Sequence, residues 1–225
     1  MTARPKVILS WSSGKDSVWS LQVLRRQGDV EVVGLFSSLT GPEDDRKVSM
    51  HGVDRAVVHA QAAAAGLSLE EIFLPDPCPN EVYEEVMGAF IGRVRDQGVT
   101  NVAFGDLFLE DIRKYREDKL QGTGFEPIFP LWGLDTAALA KEMIAGGLKA
   151  HIVSVDTQQL DATFIGRAFD NALLSDLPPE CDPCGENGEF HTVTVAGPMF
   201  SAPIDVTLGD VVQGEQFHHQ RASLA

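Results

Sequence analysis

The sequence predicts an α/β protein built on a doubly wound parallel sheet, with a smaller α+β portion after it. Three observations carry that prediction. An apolar run, Val7-Ile8-Leu9, leads through a turn of small residues into a helical pattern where Val18, Leu21 and Leu24 recur every three residues. Strand-like and helix-like segments then alternate to about residue 131, as parallel strands joined by crossover helices do. From Asp135 the pattern changes to one helix followed mainly by strands. The expected boundary lies near Trp132, dividing the chain into residues 1–132 and 133–225.

Each element has a local reason. Trp19 and Val23 widen the apolar face of the first helix, and Gly28-Asp29 turns the chain into a second strand over 31–37. The polar loop 40–46 has the composition of a flap. An Ala-rich helix over 53–65 ends at Gly66, and a third strand over 69–74 runs into a proline-rich loop that cannot extend it. Asn80 is the expected cap of a helix over 81–97, whose first turns carry Glu81, Glu84 and Glu85, where acids suit the helix dipole. A fourth strand over 99–104 leads into Gly105-Asp106. A helix over 112–120 follows, with Arg113 and Glu117 one turn apart, and 125–131 is extended. Asp135 caps a helix over 136–145, and 150–155 is a strand. Phe164, Ile165, Ala168 and Phe169 recur at helical spacing and read as core. Residues 193–195 and 204–212 read as β-structure, and His218-His219 as frayed tail.

The 225 residues are enough for a sizeable core, and 44% hydrophobic with 23% charged residues is ordinary for a soluble globular protein. A net charge of −15 opposes attraction to nucleic acid or anionic lipid, though Arg113, Lys114 and Arg116 could still form a local basic patch. No apolar run approaches the ~20 residues of a membrane span. Three cysteines make no disulfide framework, so a reducing cytoplasm is the expected setting.

The turn Ser12-Ser13-Gly14-Lys15-Asp16-Ser17 is where chemistry is expected. Free amides at a helix N-terminus attract anions, Gly14 permits close approach, Lys15 adds a full charge, and the serines add donors. It is not a Walker A loop, since Lys15 is followed by Asp16 rather than Ser or Thr. A carboxylate beside a phosphate cradle calls for Mg²⁺ or a donor from the loop between them and suits pyrophosphate departure. These residues resemble the PP-loop ATP pyrophosphatases, whose motif is S-G-G-K-D-S. Ser13 stands where that family usually has Gly, and a negative φ would let Ser occupy the place.

Ligands of an open parallel sheet collect beyond the carboxyl ends of its strands. Gly105 and Asp106 fall there: Asp106 could hold Mg²⁺ or orient a nucleophile, and Arg113 could neutralise phosphate. His51 follows the second strand and could contact a base or cap the next helix. The densest polar cluster is Cys181-Asp182-Pro183-Cys184-Gly185-Glu186-Asn187-Gly188-Glu189-Phe190-His191-Thr192. Its thiols raise zinc or redox chemistry, but a structural zinc needs four ligands. The preferred reading places Glu186, Glu189 and His191 at a substrate site with Cys184 packed beneath them.

Together these segments, with Pro130-Leu131-Trp132, are similar to the diphthine–ammonia ligase family over about residues 6–200. The resemblance implies a Rossmann-like, HUP-type nucleotide-binding domain over 1–132 and a substrate portion over 133–225. It implies ATP and Mg²⁺ as cofactors, with a carboxylate-bearing acceptor and ammonia as partners, and a homodimer is compatible with it. Ser12, Ser13, Gly14, Lys15, Asp16 and Ser17, with His51, Gly105 and Arg113, would bind nucleotide; Asp16 and Asp106 would hold the metal. Lys15, Asp106, Glu186, Glu189 and His191 would act at the reaction. The implied activity is adenylation of a carboxylate, loss of pyrophosphate and displacement of AMP by ammonia. Diphthine is the named acceptor, and a related carboxylate stays open. The rivals are a PP-loop enzyme acting on tRNA or another small molecule, and a non-catalytic nucleotide sensor.

Overall fold

The structure, a computed structural model, describes residues 3–41, 46–48, 52–75 and 77–225. Its first sheet is built from β1 (Lys6–Ser10), β2 (Glu31–Thr40), β3 (Lys47–Val48), β4 (Ser68–Phe73), β5 (Asn101–Ala103) and β6 (Glu126–Ile128). The parallel strands run in the order β4-β2-β1-β5-β6, and the short β3 pairs antiparallel with the end of β2. The connecting helices are α1 (Lys15–Gln27), α2 (Arg55–Ala65), α3 (Asn80–Asp96) and α4 (Glu110–Leu120). The strand order reverses between β1 and β5, and a crevice opens at such a switch point.

Strand alternation divides the core. Val7 and Leu9 of β1 join one buried cluster with Val18, Leu21 and Leu24 of α1, while Ile8 joins another with Phe36, Phe90 and Val102. Both faces of the sheet are thereby covered, as a parallel sheet requires.

Beyond residue 132 lie α5 (Thr136–Ala145), β7 (Lys149–Asp156), α6 (Asn171–Asp176), β8 (Phe190–Ala196), β9 (Val206–Gln213) and β10 (Phe217–Leu224). Asp135 Oδ1 accepts from Ala138 N at 2.7 Å, capping α5. The second sheet is antiparallel, in the order β8-β7-β10-β9. The first buried cluster continues without interruption into this portion, through Met143, Ile152, Val155, Phe190 and Val193.

Three local expectations change. Pro79, not Asn80, is the residue before α3, and Asn80 is its first helical residue. The stripe from Phe164 to Phe169 forms only a 3₁₀ turn at Ala162–Phe164; Phe164 and Phe169 are core residues supplied by irregular chain. His218 and His219 are not frayed: they pair with Val155 and Ser154 of β7 and with Gln213 and Val212 of β9, inside the second sheet. Their polar sequence hid a strand whose fully buried member is Ala222.

Candidate active site

The turn between β1 and α1 is held by its own serines. Ser17 Oγ donates to Gly14 O at 3.0 Å and accepts from Ser12 N at 3.3 Å, and the two hydroxyls stand 3.2 Å apart. Ser13 has φ +70°, not the negative value that would let a serine take the place without strain. Its carbonyl accepts from Thr194 N at 2.9 Å and Gln61 Nε2 at 3.2 Å, which fixes that left-handed backbone. The Ser13 side chain is fully buried, and its Oγ has no hydrogen-bond partner. A position of this kind favours glycine. Gln61 also accepts from Trp11 Nε1 at 2.8 Å and donates to Thr194 O at 2.7 Å, so one buried amide ties the turn to β8. Sequence reasoning passed over Gln61. Its signal was a lone polar residue on the apolar face made by Val57, Val58, Ala62 and Ala65.

Strand β8 completes the helix start. Lys15 N, an amide of the first turn of α1, donates to Thr192 Oγ1 at 3.0 Å. The Lys15 ammonium is buried, donates to Asp16 Oδ2 at 2.8 Å and to Cys184 O, and lies over the rings of Phe169 and Phe190. Burial acts to lower its pKa, but Asp16, Cys184 and Glu186 prevail and hold it above the ordinary lysine value. It is therefore a charged cation, partly shielded from water. Asp16 Oδ1 is buried without a hydrogen bond.

The end of β5 lies against α1. A Cβ on Gly105 would stand 3.0 Å from Ser17 N and 3.1 Å from Asp16 C, so any larger residue would have to push the start of α1 away by a few tenths of an ångström. Asp106 follows, its pKa raised by burial and by Asp16 against the pull of Arg116. Asp106 Oδ2 and Arg116 Nε form a loose ion pair at 3.7 Å, each buried and without a hydrogen bond.

The third wall is the loop that precedes β8. Gly185 has φ +67°, and a Cβ there would meet Phe190 O at 2.8 Å. Glu186 Oε1 accepts from Leu107 N at 2.7 Å. Burial, with Asp16 and Asp106 adding like charge, pushes the Glu186 pKa up to about 7. Burial, Lys15 and His219 push His191 down to about 4, leaving its ring neutral. Cys181 is pushed up to about 12 by burial, and Cys184 is also raised, so both are packed thiols rather than nucleophiles.

These parts enclose a cavity of about 390 Å³, lined by Ser12, Lys15, Asp16, Ser17, Gly105, Asp106, Arg116, Glu186 and His191 among others. A second cavity of about 610 Å³ lies between the sheet and helices α3 and α4, with Phe36, Tyr83, Phe90, Phe104 and Tyr115 in its wall. The two share Ser10, Ser12, Phe104 and Arg116. Most of the residues picked out in the sequence thus converge on one place. Glu189 does not line it: its Oε1 accepts from Asp182 N at 2.8 Å and Asn187 Nδ2 at 3.0 Å, bracing the loop from within. Nor does Arg113, which pairs with Glu117 at 2.7 Å and lies over Phe129 and Trp132. His51 falls outside the described residues.

Comparison with known proteins bears on what this arrangement does. Residues 135–224 match the family model described as diphthamide synthase C-terminal domain. A mouse diphthine–ammonia ligase is 24% identical over 220 residues, covering 89% of this chain and 82% of the mouse protein. This chain is similar to the diphthine–ammonia ligases along most of its length. The human ligase is 25% identical with the same two coverages. The fission-yeast ligase is 29% identical over 101 residues, and that match spans 43% of this chain but only 17% of the yeast protein. Similarity to the mouse and human ligases therefore extends over both sheets that wall the cavity. No helix among the described residues is long and apolar enough to cross a membrane.

Proposed function

We propose that this protein is an ATP-dependent, AMP-forming ligase that adenylates a carboxylate, diphthine or a related acceptor, and transfers ammonia to it. The observation that carries the reading is the cavity itself. One buried cation, one helix N-terminus, three acidic side chains and one neutral imidazole meet beyond the ends of β1 and β5. Phosphates would lie against the turn 12–17 and Lys15, with the nucleoside toward the adjoining larger cavity. Similarity to named diphthine–ammonia ligases supports amide formation as the chemistry. A cytoplasmic setting belongs to the same reading.

In the first step an acceptor carboxylate oxygen bonds to the α-phosphorus of ATP, and the bond from that phosphorus to the pyrophosphate oxygen breaks. Lys15 and the amides at the start of α1 stabilise the charge on the departing pyrophosphate. In the second step ammonia bonds to the acyl carbon, the bond to the AMP oxygen breaks, and the new nitrogen loses a proton. Glu186, titrating near pH 7, is suited to take that proton, and neutral His191 can hydrogen-bond the acyl oxygen or the amine. Asp16 and Asp106 fit Mg²⁺ because each keeps a buried carboxylate oxygen without a hydrogen bond. Among the described residues no three His, Cys, Asp or Glu side chains form a metal site alone, so phosphate and water oxygens would supply the other ligands. When bound, Mg²⁺ would neutralise phosphate charge that Asp16 would otherwise repel.

The test is product analysis. Purified protein with ATP, Mg²⁺, ammonium and diphthine-bearing acceptor should give AMP and pyrophosphate only when acceptor and ammonium are both present. Formation of ADP, or bound ATP that never turns over in the complete mixture, would overturn the mechanism.

A further inference from the structure

The two cavities meet at a seam, and one side chain of α4 stands in it. Arg116 lines both spaces, and its guanidinium lies 4.9 Å from the centroid of the Phe104 ring, which also belongs to both. Its Nε is buried and makes no hydrogen bond; it is held only by a loose ion pair to Asp106 Oδ2 at 3.7 Å. Arginine is a strong planar donor to phosphate oxygens, and a buried N–H without a hydrogen bond is costly. Arg113, one turn earlier, is engaged by Glu117 and two aromatic rings. Helix geometry therefore directs two arginines to different tasks. One stiffens the surface, and the other faces the place where the contents of the two cavities would join.

We propose that Arg116 is the residue that grips the α-phosphate, the group linking the nucleoside in the larger cavity to the pyrophosphate in the smaller one. This deepens the nucleotide reading above and rests on it. Lys15 lines the smaller cavity only, so the two cations divide the nucleotide: Arg116 holds what remains as AMP, and Lys15 holds what leaves. Because Arg116 touches the reacting phosphorus centre, it would also stabilise charge as the carboxylate adds there.

Binding of AMP and of inorganic pyrophosphate, each measured by calorimetric titration, separates the roles. Arg116→Gln should weaken AMP about ten- to hundred-fold and pyrophosphate less than threefold. Lys15→Ala should show the reverse pattern, and Arg116→Lys should recover part of the AMP affinity. AMP affinity within threefold of wild type in Arg116→Gln, or an equal loss for both ligands, would overturn the assignment. If Arg116→Gln does not fold, as judged by its thermal midpoint, the same comparison in Arg116→Lys decides: an AMP-selective loss supports the assignment, and its absence overturns it. Wild-type protein that binds neither AMP nor ATP would overturn the ligase reading and this assignment together. Wild type that binds both, with Arg116→Gln unchanged, would overturn this assignment alone.

Discussion

Ser13→Gly should make this protein more stable. Ser13 holds φ +70° with its side chain fully buried and its hydroxyl unbonded. A left-handed backbone costs a residue bearing Cβ about 1–2 kcal/mol. A buried hydroxyl without a partner costs about 1–3 kcal/mol more. Against these stand the greater freedom of glycine in the unfolded chain, about 0.5–1 kcal/mol, and the lost packing of one methylene, about 0.8 kcal/mol. The balance is a gain of about 1–2 kcal/mol, or about 3–6 °C in thermal midpoint for a chain this long. The backbone partners of Ser13, Thr194 N and Gln61 Nε2, are untouched by the change. Ser13→Ala removes the hydroxyl but keeps the strain, so the expected order of stability is Gly at least equal to Ala, and both above Ser. Urea unfolding of the three proteins measures it. A Ser13→Gly protein less stable than wild type, or a Ser13→Ala protein destabilised by more than about 0.5 kcal/mol, would refute the reasoning, because the hydroxyl would then have a favourable role.

Other perturbations follow from the same geometry. Gly105→Ala would drive a methyl group into the backbone of Asp16 and Ser17; it should cost about 1–3 kcal/mol by thermal unfolding and lower ATP turnover with it. Gln61→Leu leaves Trp11 Nε1, Ser13 O and Thr194 O short of a buried partner and should cost about 2–4 kcal/mol by urea titration. Glu186 has a folded pKa of about 7 against 4.5 for the ordinary group, so the folded state binds more protons than the unfolded state between those values. Its contribution to stability therefore falls as pH rises from about 4.5 to 7. Glu186→Gln should gain on wild type by about 1–3 kcal/mol over that window, allowing for the group's partial exposure, as paired denaturation curves at pH 5 and pH 8 would reveal. If Glu186 is the proton acceptor, wild-type turnover at saturating ammonium should also rise through pH 7, and the Gln variant should lose that limb. Lys15→Ala should lower AMP formation at least about a thousandfold, read from product analysis, since it removes the charge opposite the leaving group.

The sequence spoke clearly wherever one face of an element was buried and said little where packing chose between equivalent side chains. The unbroken apolar run of β1 and the three-residue spacing in α1 placed both elements, because β1 is buried on both faces and α1 hides one. The cap at Asp135 was legible because a side chain bonding its own backbone needs no tertiary partner. Arg113 and Arg116 are one helical turn apart and look alike in sequence. Only the positions of Phe129 and Trp132 decide which of them turns from the cavity. Glu186 and Glu189 are separated in the same way, one by Leu107 N and the other by Asp182 N. The sign of φ at Ser13 could not be read from the sequence because the contacts that impose it, Gln61 and Thr194, are remote in the chain. Strand β10 escaped notice because its neighbours β7 and β9 cover it in the plane of the sheet, so backbone pairing rather than apolar content holds it.

That strand has a consequence for how the molecule is made. Residues 217–224 are synthesised after every other strand described, yet they lie between β7 and β9. Until they emerge from the ribosome, β7 and β9 each present an unpaired edge, the kind of surface that recruits other nascent chains. Asp54 N also donates to Ala222 O, so the final strand stitches back onto the segment that leads into α2. This wall of the cavity is thereby completed only once residues 217–224 have been made. A cut before Phe217 would take out an inner rung of the sheet, and the shortened chain should accumulate in inclusion bodies instead of appearing as a trimmed enzyme.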